Sequence, residues 1–95
     1  MTVTFHIPGP LHQFVGGNSQ VDIQVHGQTV RDALMALWMI HPGIRDRLAT
    51  EQGQIREHIN IFVGNENIRQ TGGLATPIFA DAEISIVPAI SGGAY

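Results

Sequence analysis

Apolar and polar residues alternate along four short segments of the chain, which is the pattern of β-strands that bury one face. These segments predict strands at residues 2–7, 21–25, 58–63 and 83–87. Clusters of Gly, Pro, Asn and Asp lie between the segments and indicate turns, as at residues 64–67. A further short edge strand is predicted at residues 68–69. The chain therefore has four or five strands that can form one sheet with an apolar face.

The segment after the second strand has the periodicity of a helix instead. Its apolar residues recur at helical spacing and form one stripe, made of Val30, Ala33, Leu34, Leu37 and Trp38. Thr29 precedes the stripe and Asp32 follows three residues later, which predicts a capping box. The helix should end at His41, because the residue before a proline is disfavoured in helical geometry. A short second helical turn is predicted at residues 44–49.

The order of these elements predicts an α+β domain with one main helix packed on one face of a mixed sheet of four to five strands. The first two strands should form an antiparallel hairpin. If the first and last strands run parallel in the centre, the arrangement is the β-grasp, or ubiquitin-like, fold. Leu11, Phe14 and Val15, in the long connection at residues 8–19, should fold back onto the core, with a contact surface as the alternative. Residues 1–91 are expected to form the domain.

Composition limits what this domain can do. The 95 residues are 43% hydrophobic and 14% charged, which is typical of a folded globular chain. A net charge of -3 argues against general electrostatic binding of nucleic acid. The apolar run at residues 33–40 is too short to span a membrane, and the first strand lacks the layout of a signal peptide. We therefore expect a cytoplasmic protein that binds neither nucleic acid nor membrane.

The residue types give little sign of a catalytic or cofactor site. Cysteine is absent, which excludes disulfides, a thiolate nucleophile and cysteine-bound metal. The five histidines lack the close spacing of metal ligands, although His6 and His26 could face each other across the first hairpin. No phosphate-binding glycine motif is present, and Gly72-Gly73 is interpreted as a turn. We expect no bound metal and no bound cofactor.

The segment after the last strand is the most informative one. It ends in Ser91-Gly92-Gly93-Ala94-Tyr95, and we treat residues 92–95 as a flexible tail. Two adjacent glycines form a thin, adaptable backbone because neither carries a Cβ atom. Such a tail could thread a narrow channel and present a carboxylate to another enzyme; a frayed terminus is the alternative. The chain has no lysine, so an activated tail would meet no ε-amine on its own chain.

Several motifs in the second half resemble one known family in order and spacing. They are VGNENIR at residues 63–69, GGLAT at residues 72–76 and ISIVPAISGG at residues 84–93. With the predicted order of elements, they resemble the MoaD/ThiS ubiquitin-like sulfur carriers, and most of all the carriers of cysteine biosynthesis. The resemblance covers nearly the whole chain and is densest after residue 58.

The resemblance implies a carrier protein that serves as a co-substrate of other enzymes. In this family an E1-like adenylyltransferase uses ATP to activate the C-terminal glycine, and a sulfur donor then replaces AMP to leave a thiocarboxylate. Gly93 would carry the sulfur here. The docked tail would be formed by Ala89, Ile90, Ser91 and Gly92. A sulfur-accepting synthase would take the sulfur, and Arg69 is a candidate partner contact, with a solvated surface arginine as the alternative.

The chain departs from the family pattern at two places. Ala94 and Tyr95 follow the glycine pair, so activation at Gly93 would require cleavage between Gly93 and Ala94. The resemblance implies that a JAMM-type zinc metalloprotease performs this cleavage, with the zinc and the ATP both acting on partner enzymes. Ala82 stands where the family often has glycine, and alanine would be strained there if the turn needs a positive φ.

Other functions stay open at this point. Within the same class, the chain could be the small subunit of molybdopterin synthase or a thiamine sulfur carrier. In another class, it could be a β-grasp interaction module whose tail is never activated, or a protein modifier joined through Gly93 to lysines of other proteins.

Overall fold

The computed structural model describes residues 1–88 of the chain. Its strands are β1 (Thr2–His6), β2 (Gln20–Gln24), β3 (Ile59–Val63), β4 (Glu66–Asn67) and β5 (Glu83–Pro88). Its α-helices are α1 (Val30–Ile40) and α2 (Arg45–Leu48). Short 3-10 helices lie at Gly9–Val15, Pro42–Ile44, Ile68–Gln70 and Gly73–Ala75. The predicted main helix, the second helical turn and the four long strands are confirmed within one or two residues at their ends.

The five strands form one mixed sheet in the order β2-β1-β5-β3-β4. β1 and β2 form the predicted antiparallel hairpin. β1 and β5 run parallel in the centre, with Phe5 opposite Ile84. β3 is antiparallel to both β5 and β4. This topology confirms the β-grasp prediction, since the first and last strands lie side by side and one main helix crosses one face.

The core lies between the sheet and α1. Val3, Phe5 and Ile84 are fully buried on the inner face of the central strands. Leu34 and Leu37 of α1 are fully buried against that face. Because hydrophobic stabilisation grows with the apolar area removed from water, this layer supplies most of the driving force for folding.

The start of α1 is fixed by the predicted capping box. The Asp32 N–H donates to Thr29 Oγ1 at 3.3 Å, and Asp32 Oδ2 accepts from the Thr29 hydroxyl at 2.9 Å and the Thr29 N–H at 3.2 Å. The Thr29 hydroxyl, and then the Gln28 N–H, hold the pKa of Asp32 below its ordinary value. A Cβ atom on Gly27 would clash with the Asp32 side chain, so only glycine allows the backbone at residue 27 to lie this close to the carboxylate.

The connection between β1 and β2 packs onto the core, as predicted. Its 3-10 helix buries Leu11 and Val15, and Phe14 is partly buried against the core. The His12 ring nitrogen Nε2 lies 2.7 Å from the carbonyl oxygen of Ile7 and ties the connection to the end of β1. The connection is therefore part of the folded domain.

One local prediction was wrong, and the condition placed on Ala82 is not met. The edge strand is Glu66–Asn67 and not residues 68–69, which belong to the 3-10 helix Ile68–Gln70. The strand ends because Asn67 Oδ1 accepts the Arg69 N–H at 3.0 Å and caps that helix. The residue with positive φ before β5 is Asp81, at 64°, and not Ala82. Aspartate tolerates this left-handed conformation better than most residues, so no strain falls on the alanine.

Candidate functional site

The tail follows a central strand of the sheet. β5 lies between β1 and β3 and ends at Pro88, which faces Ile59 at the start of β3. The tail is therefore joined to a strand that is paired on both sides. The predicted tail positions, Ala89, Ile90, Ser91, Gly92, Gly93 and Ala94, lie outside the described residues.

The sheet face opposite α1, which we call the outer face, is polar along β1 and β2. Thr4 Oγ1 donates to Asp22 Oδ1 at 2.8 Å, and Gln24 Nε2 donates to Thr2 Oγ1 at 2.7 Å. These cross-strand pairs satisfy one another's hydrogen bonds. This half of the outer face is a hydrogen-bonded surface with little apolar area for a partner.

The other half of the outer face, along β5 and β3, is more apolar. Phe62 faces Ser85 across the β3–β5 pair and is half-buried. Val87 is 42% exposed and faces Asn60. Val87 is one residue before the end of β5. An apolar contact surface therefore lies directly beside the attachment point of the tail.

The histidines are placed differently from the prediction. His6 faces Gln20 in the β1–β2 register, so His6 and His26 do not face each other. His6 Nε2 lies 2.7 Å from Glu83 Oε1, an ion pair when the imidazole is protonated. Within residues 1–88, no three His, Asp or Glu side chains come together in a way that could hold a metal ion.

Arg69 joins the edge of the sheet to the chain before β3. Its Nη2 atom donates to the carbonyl oxygens of Arg56 at 3.2 Å, Glu57 at 3.2 Å and Ile59 at 2.8 Å. Its Nε atom lies 3.4 Å from Asn60 Oδ1. Arg69 is exposed but anchored, which neither sequence interpretation anticipated, because three of its four acceptors lie ten or more residues before it in the chain. A role in partner contact stays a prediction.

We expect Arg69→Ala to lower the free energy of unfolding by about 1–3 kcal/mol, because it leaves several carbonyl groups without their charged donor. Arg69→Lys should recover only part of the loss, since an ammonium lacks the planar fork of a guanidinium. Urea denaturation would measure both changes. Arg31→Ala, on the exposed side of α1, is the control and should change stability by less than about 0.5 kcal/mol. Equal effects of the alanine variants would contradict the structural role of Arg69.

The internal glycine pair forms a turn, as predicted. Gly72 and Gly73 have φ values of 118° and 63°, which favour glycine. They lead into the 3-10 helix Gly73–Ala75, where Thr76 Oγ1 donates to the Gly73 carbonyl at 2.7 Å. Among residues 1–88, no helix is long and apolar enough to span a bilayer.

Comparison with known families and structures agrees with this geometry. The ThiS family matches residues 5–93. A β-grasp domain whose central strand leads into a glycine pair is the architecture of a ubiquitin-like carrier or modifier. The chain belongs to the ThiS family, which confirms the resemblance to the MoaD/ThiS proteins drawn from the motifs.

The relatives are carriers and modifiers. The chain is 35% identical over 95 residues to the sulfur carrier protein CysO of Mycobacterium tuberculosis, covering 98% of this chain and 100% of CysO. It is 34% identical over 80 residues to small archaeal modifier protein 1 of Haloferax volcanii, covering 83% and 87% of the two chains. A crystal structure of the Amycolatopsis orientalis BexX/CysO complex matches with a TM-score of 0.84 and 33% identity, covering 96% of this chain and 99% of that one. The chain is thus of the sulfur carrier and small modifier type.

Proposed function

We propose that the chain is a sulfur carrier that is activated at Gly93. After removal of Ala94 and Tyr95, an E1-like enzyme adenylates the Gly93 carboxylate, and a sulfur donor converts it to a thiocarboxylate. The thiocarboxylate then donates sulfur in the biosynthesis of cysteine, methionine or a thio-metabolite. The chain is a co-substrate in this cycle and not a catalyst.

The observation that carries this proposal is where the family match ends. The match extends from residue 5 to Gly93 and leaves Ala94 and Tyr95 outside. The chemistry of a sulfur carrier requires a glycine carboxylate at that position. The full-length match to CysO supports the cysteine branch over the molybdopterin and thiamine branches, which stay as the runners-up.

Each step of the proposed cycle balances. A carboxylate oxygen of Gly93 attacks the α-phosphorus of ATP, and pyrophosphate leaves. The acyl-adenylate is a better electrophile than a carboxylate, because AMP is a good leaving group. A hydrosulfide or persulfide donor then attacks the acyl carbon and AMP departs; when the donor is a persulfide, a thiol reductant completes the release of the thiocarboxylate.

The partners in this proposal supply every cofactor. The E1-like adenylyltransferase uses ATP, and a JAMM-type metalloprotease that cleaves after Gly93 holds the zinc. A sulfur-accepting synthase receives the thiocarboxylate. Docking uses the tail and the apolar part of the outer face, at Phe62 and Val87, beside the end of β5. The complex of Amycolatopsis orientalis CysO with BexX supports a protein partner for a carrier of this shape.

A second candidate is a protein modifier joined through Gly93 to lysines of other proteins. The similarity to small archaeal modifier protein 1 favours it. The absence of lysine from this chain would prevent it from being modified on its own side chains or forming lysine-linked polymers. An interaction module that is never activated is the remaining alternative.

The intact mass of the chain, purified from its own host, tests the proposal. We expect loss of Ala94 and Tyr95 and, in part of the sample, replacement of one terminal oxygen by sulfur. Conjugates that survive boiling in detergent would favour the modifier. Their tryptic remnant on a target lysine would be residues 70–93, because the last arginine is Arg69. A full-length chain, unprocessed in the presence of the host's protease and activating enzyme, would overturn both functions.

A further inference from the structure

The end of β5 opens onto a groove built from three separate parts of the chain. The groove encloses about 320 Å³. It is lined by Pro10, Leu11, Phe14, Arg47, His58 and Pro88, among others. We call it the tail-exit groove. Because Pro88 precedes the tail directly, any enzyme that receives the tail must come close to this groove.

One wall of the groove carries a fixed positive charge. The guanidinium carbon of Arg47 lies 5.0 Å from the centre of the Phe14 ring, a cation–π contact. The neighbouring carboxylate of Asp46 pairs with Arg45 at 3.3 Å and not with Arg47. Within residues 1–88, Arg47 has no carboxylate partner. The aromatic ring holds the guanidinium in place without neutralising it.

Two further arginines do not line the groove but are bound to neutral groups of the chain segments next to it. Arg56 Nε donates to the carbonyl oxygen of Asp46 at 2.8 Å. Arg69 donates to the carbonyl oxygens of Arg56, Glu57 and Ile59, next to His58. Carbonyl oxygens orient a guanidinium but leave its net charge. The acidic side chains next to these charges in the described chain are Asp46, which pairs with Arg45, and Glu57, which forms no ion pair among the residues described.

The acidic residues of the sheet lie mainly at its other end. Glu83 starts β5 and pairs with His6, and Asp81 precedes it. Glu66 faces Val63 at the far end of β3. The sheet is therefore acidic where β5 begins and basic where it ends, although the whole chain has a net charge of -3.

We infer that the tail-exit groove, with Arg47 in its wall and Arg56 and Arg69 on the segments next to it, docks against an acidic surface of the enzyme that receives the tail. An apolar side chain of that enzyme fills the groove between Leu11 and Phe14, and its carboxylates meet Arg47, Arg56 and Arg69. Complementary charge steers such an encounter and fixes its orientation, which would deliver the tail in one direction. The identity of the partner rests on the proposed function. The docking surface itself is formed by residues of the described domain.

The test measures kcat/KM for adenylation of the chain ending at Gly93 by the host's E1-like enzyme. It compares two variants in which an arginine is replaced by glutamate. The Arg47 side chain contacts the Phe14 ring and makes no side-chain hydrogen bond within residues 1–88, so Arg47→Glu should fold, and circular dichroism would check this. We expect Arg47→Glu to lower kcat/KM about tenfold with kcat nearly unchanged, and added salt to narrow the difference. Arg31→Glu makes the same change of charge on α1, outside the groove, and should lower kcat/KM much less than Arg47→Glu does. Equal kcat/KM values for the two variants would overturn the inference, as would a failure of Arg47→Ala to lower kcat/KM.

If the wild-type chain is not adenylated at all, the proposed function fails, and a second measurement decides the inference. The probe is a capped peptide of four glutamates around one phenylalanine, titrated into the isotope-labelled full chain and followed by NMR. We expect shifts at Phe14, Arg47 and His58 that Arg47→Glu abolishes and Arg31→Glu preserves. Equal shifts with a peptide carrying glutamine in place of glutamate would overturn the inference. It would also be overturned if Arg47→Glu shifts the amides of residues 89–95 without peptide, because the tail itself would then occupy the groove.

Discussion

Replacing Phe5 by alanine is expected to lower the free energy of unfolding by about 3–5 kcal/mol, the usual cost of removing a buried aromatic side chain. Phe5 is fully buried on β1. It faces Val21 on one side and Ile84 on the other, so it lies where the hairpin meets the central parallel pair. Because β1 is hydrogen-bonded to both β2 and β5, the cavity left by Phe5→Ala cannot close by a shift of one strand.

A loss of that size matters for a domain of 95 residues. Small domains are stable by only about 5–15 kcal/mol in total, so the variant would lose a large part of its margin. Urea denaturation followed by the fluorescence of Trp38, the only tryptophan, would measure it. Thr4→Ala is the matched control on the same strand, because Thr4 lies on the outer face and loses only an exposed hydrogen bond to Asp22. Similar losses in the two variants would contradict the assignment of the inner and outer faces.

The parts of the fold that were predicted from sequence are those that local chemistry determines. The alternation at residues 58–63 defines a strand because side chains on a strand point to opposite faces in turn. The pair Thr29 and Asp32 defines the start of α1 because both partners of the capping box lie within one turn. The order of the elements predicted one helix on one face of a mixed sheet, but the parallel pairing of β1 and β5 entered only as the condition for a β-grasp fold.

The parts that could not be predicted depend on residues far apart in the chain. Arg69 reaches carbonyl groups 10 to 13 residues before it, and nothing in its own neighbourhood indicates this. The same holds for the contact of Arg47 with Phe14, which joins α2 to the connection after β1. The groove beside Pro88 is therefore a product of the fold, whereas the role of the tail is a prediction from its sequence motif alone.

The second large effect concerns the chemistry of the tail. A chain that ends at Gly93 should form AMP and a thiocarboxylate with the host's E1-like enzyme, ATP and hydrosulfide, whereas the full chain should form neither. The reason is covalent: in the full chain the Gly93 carbonyl is bonded to the nitrogen of Ala94, so it has no carboxylate oxygen to attack the α-phosphorus. Mass spectrometry of the product would show which chain gains sulfur.

A chain that ends in Gly93 carboxamide separates this covalent requirement from docking. It has the same length as the active chain and the same docking surfaces at Phe62 and in the tail-exit groove. Its terminal amide, however, has no carboxylate oxygen that could attack the α-phosphorus of ATP. We expect it to inhibit adenylation of the active chain competitively while forming no AMP itself. The full chain should inhibit more weakly if Ala94 and Tyr95 obstruct entry of the glycine pair. Adenylation of the full chain at a rate comparable with the shortened one would contradict activation at Gly93, and would direct attention to the carboxylate of Tyr95 instead.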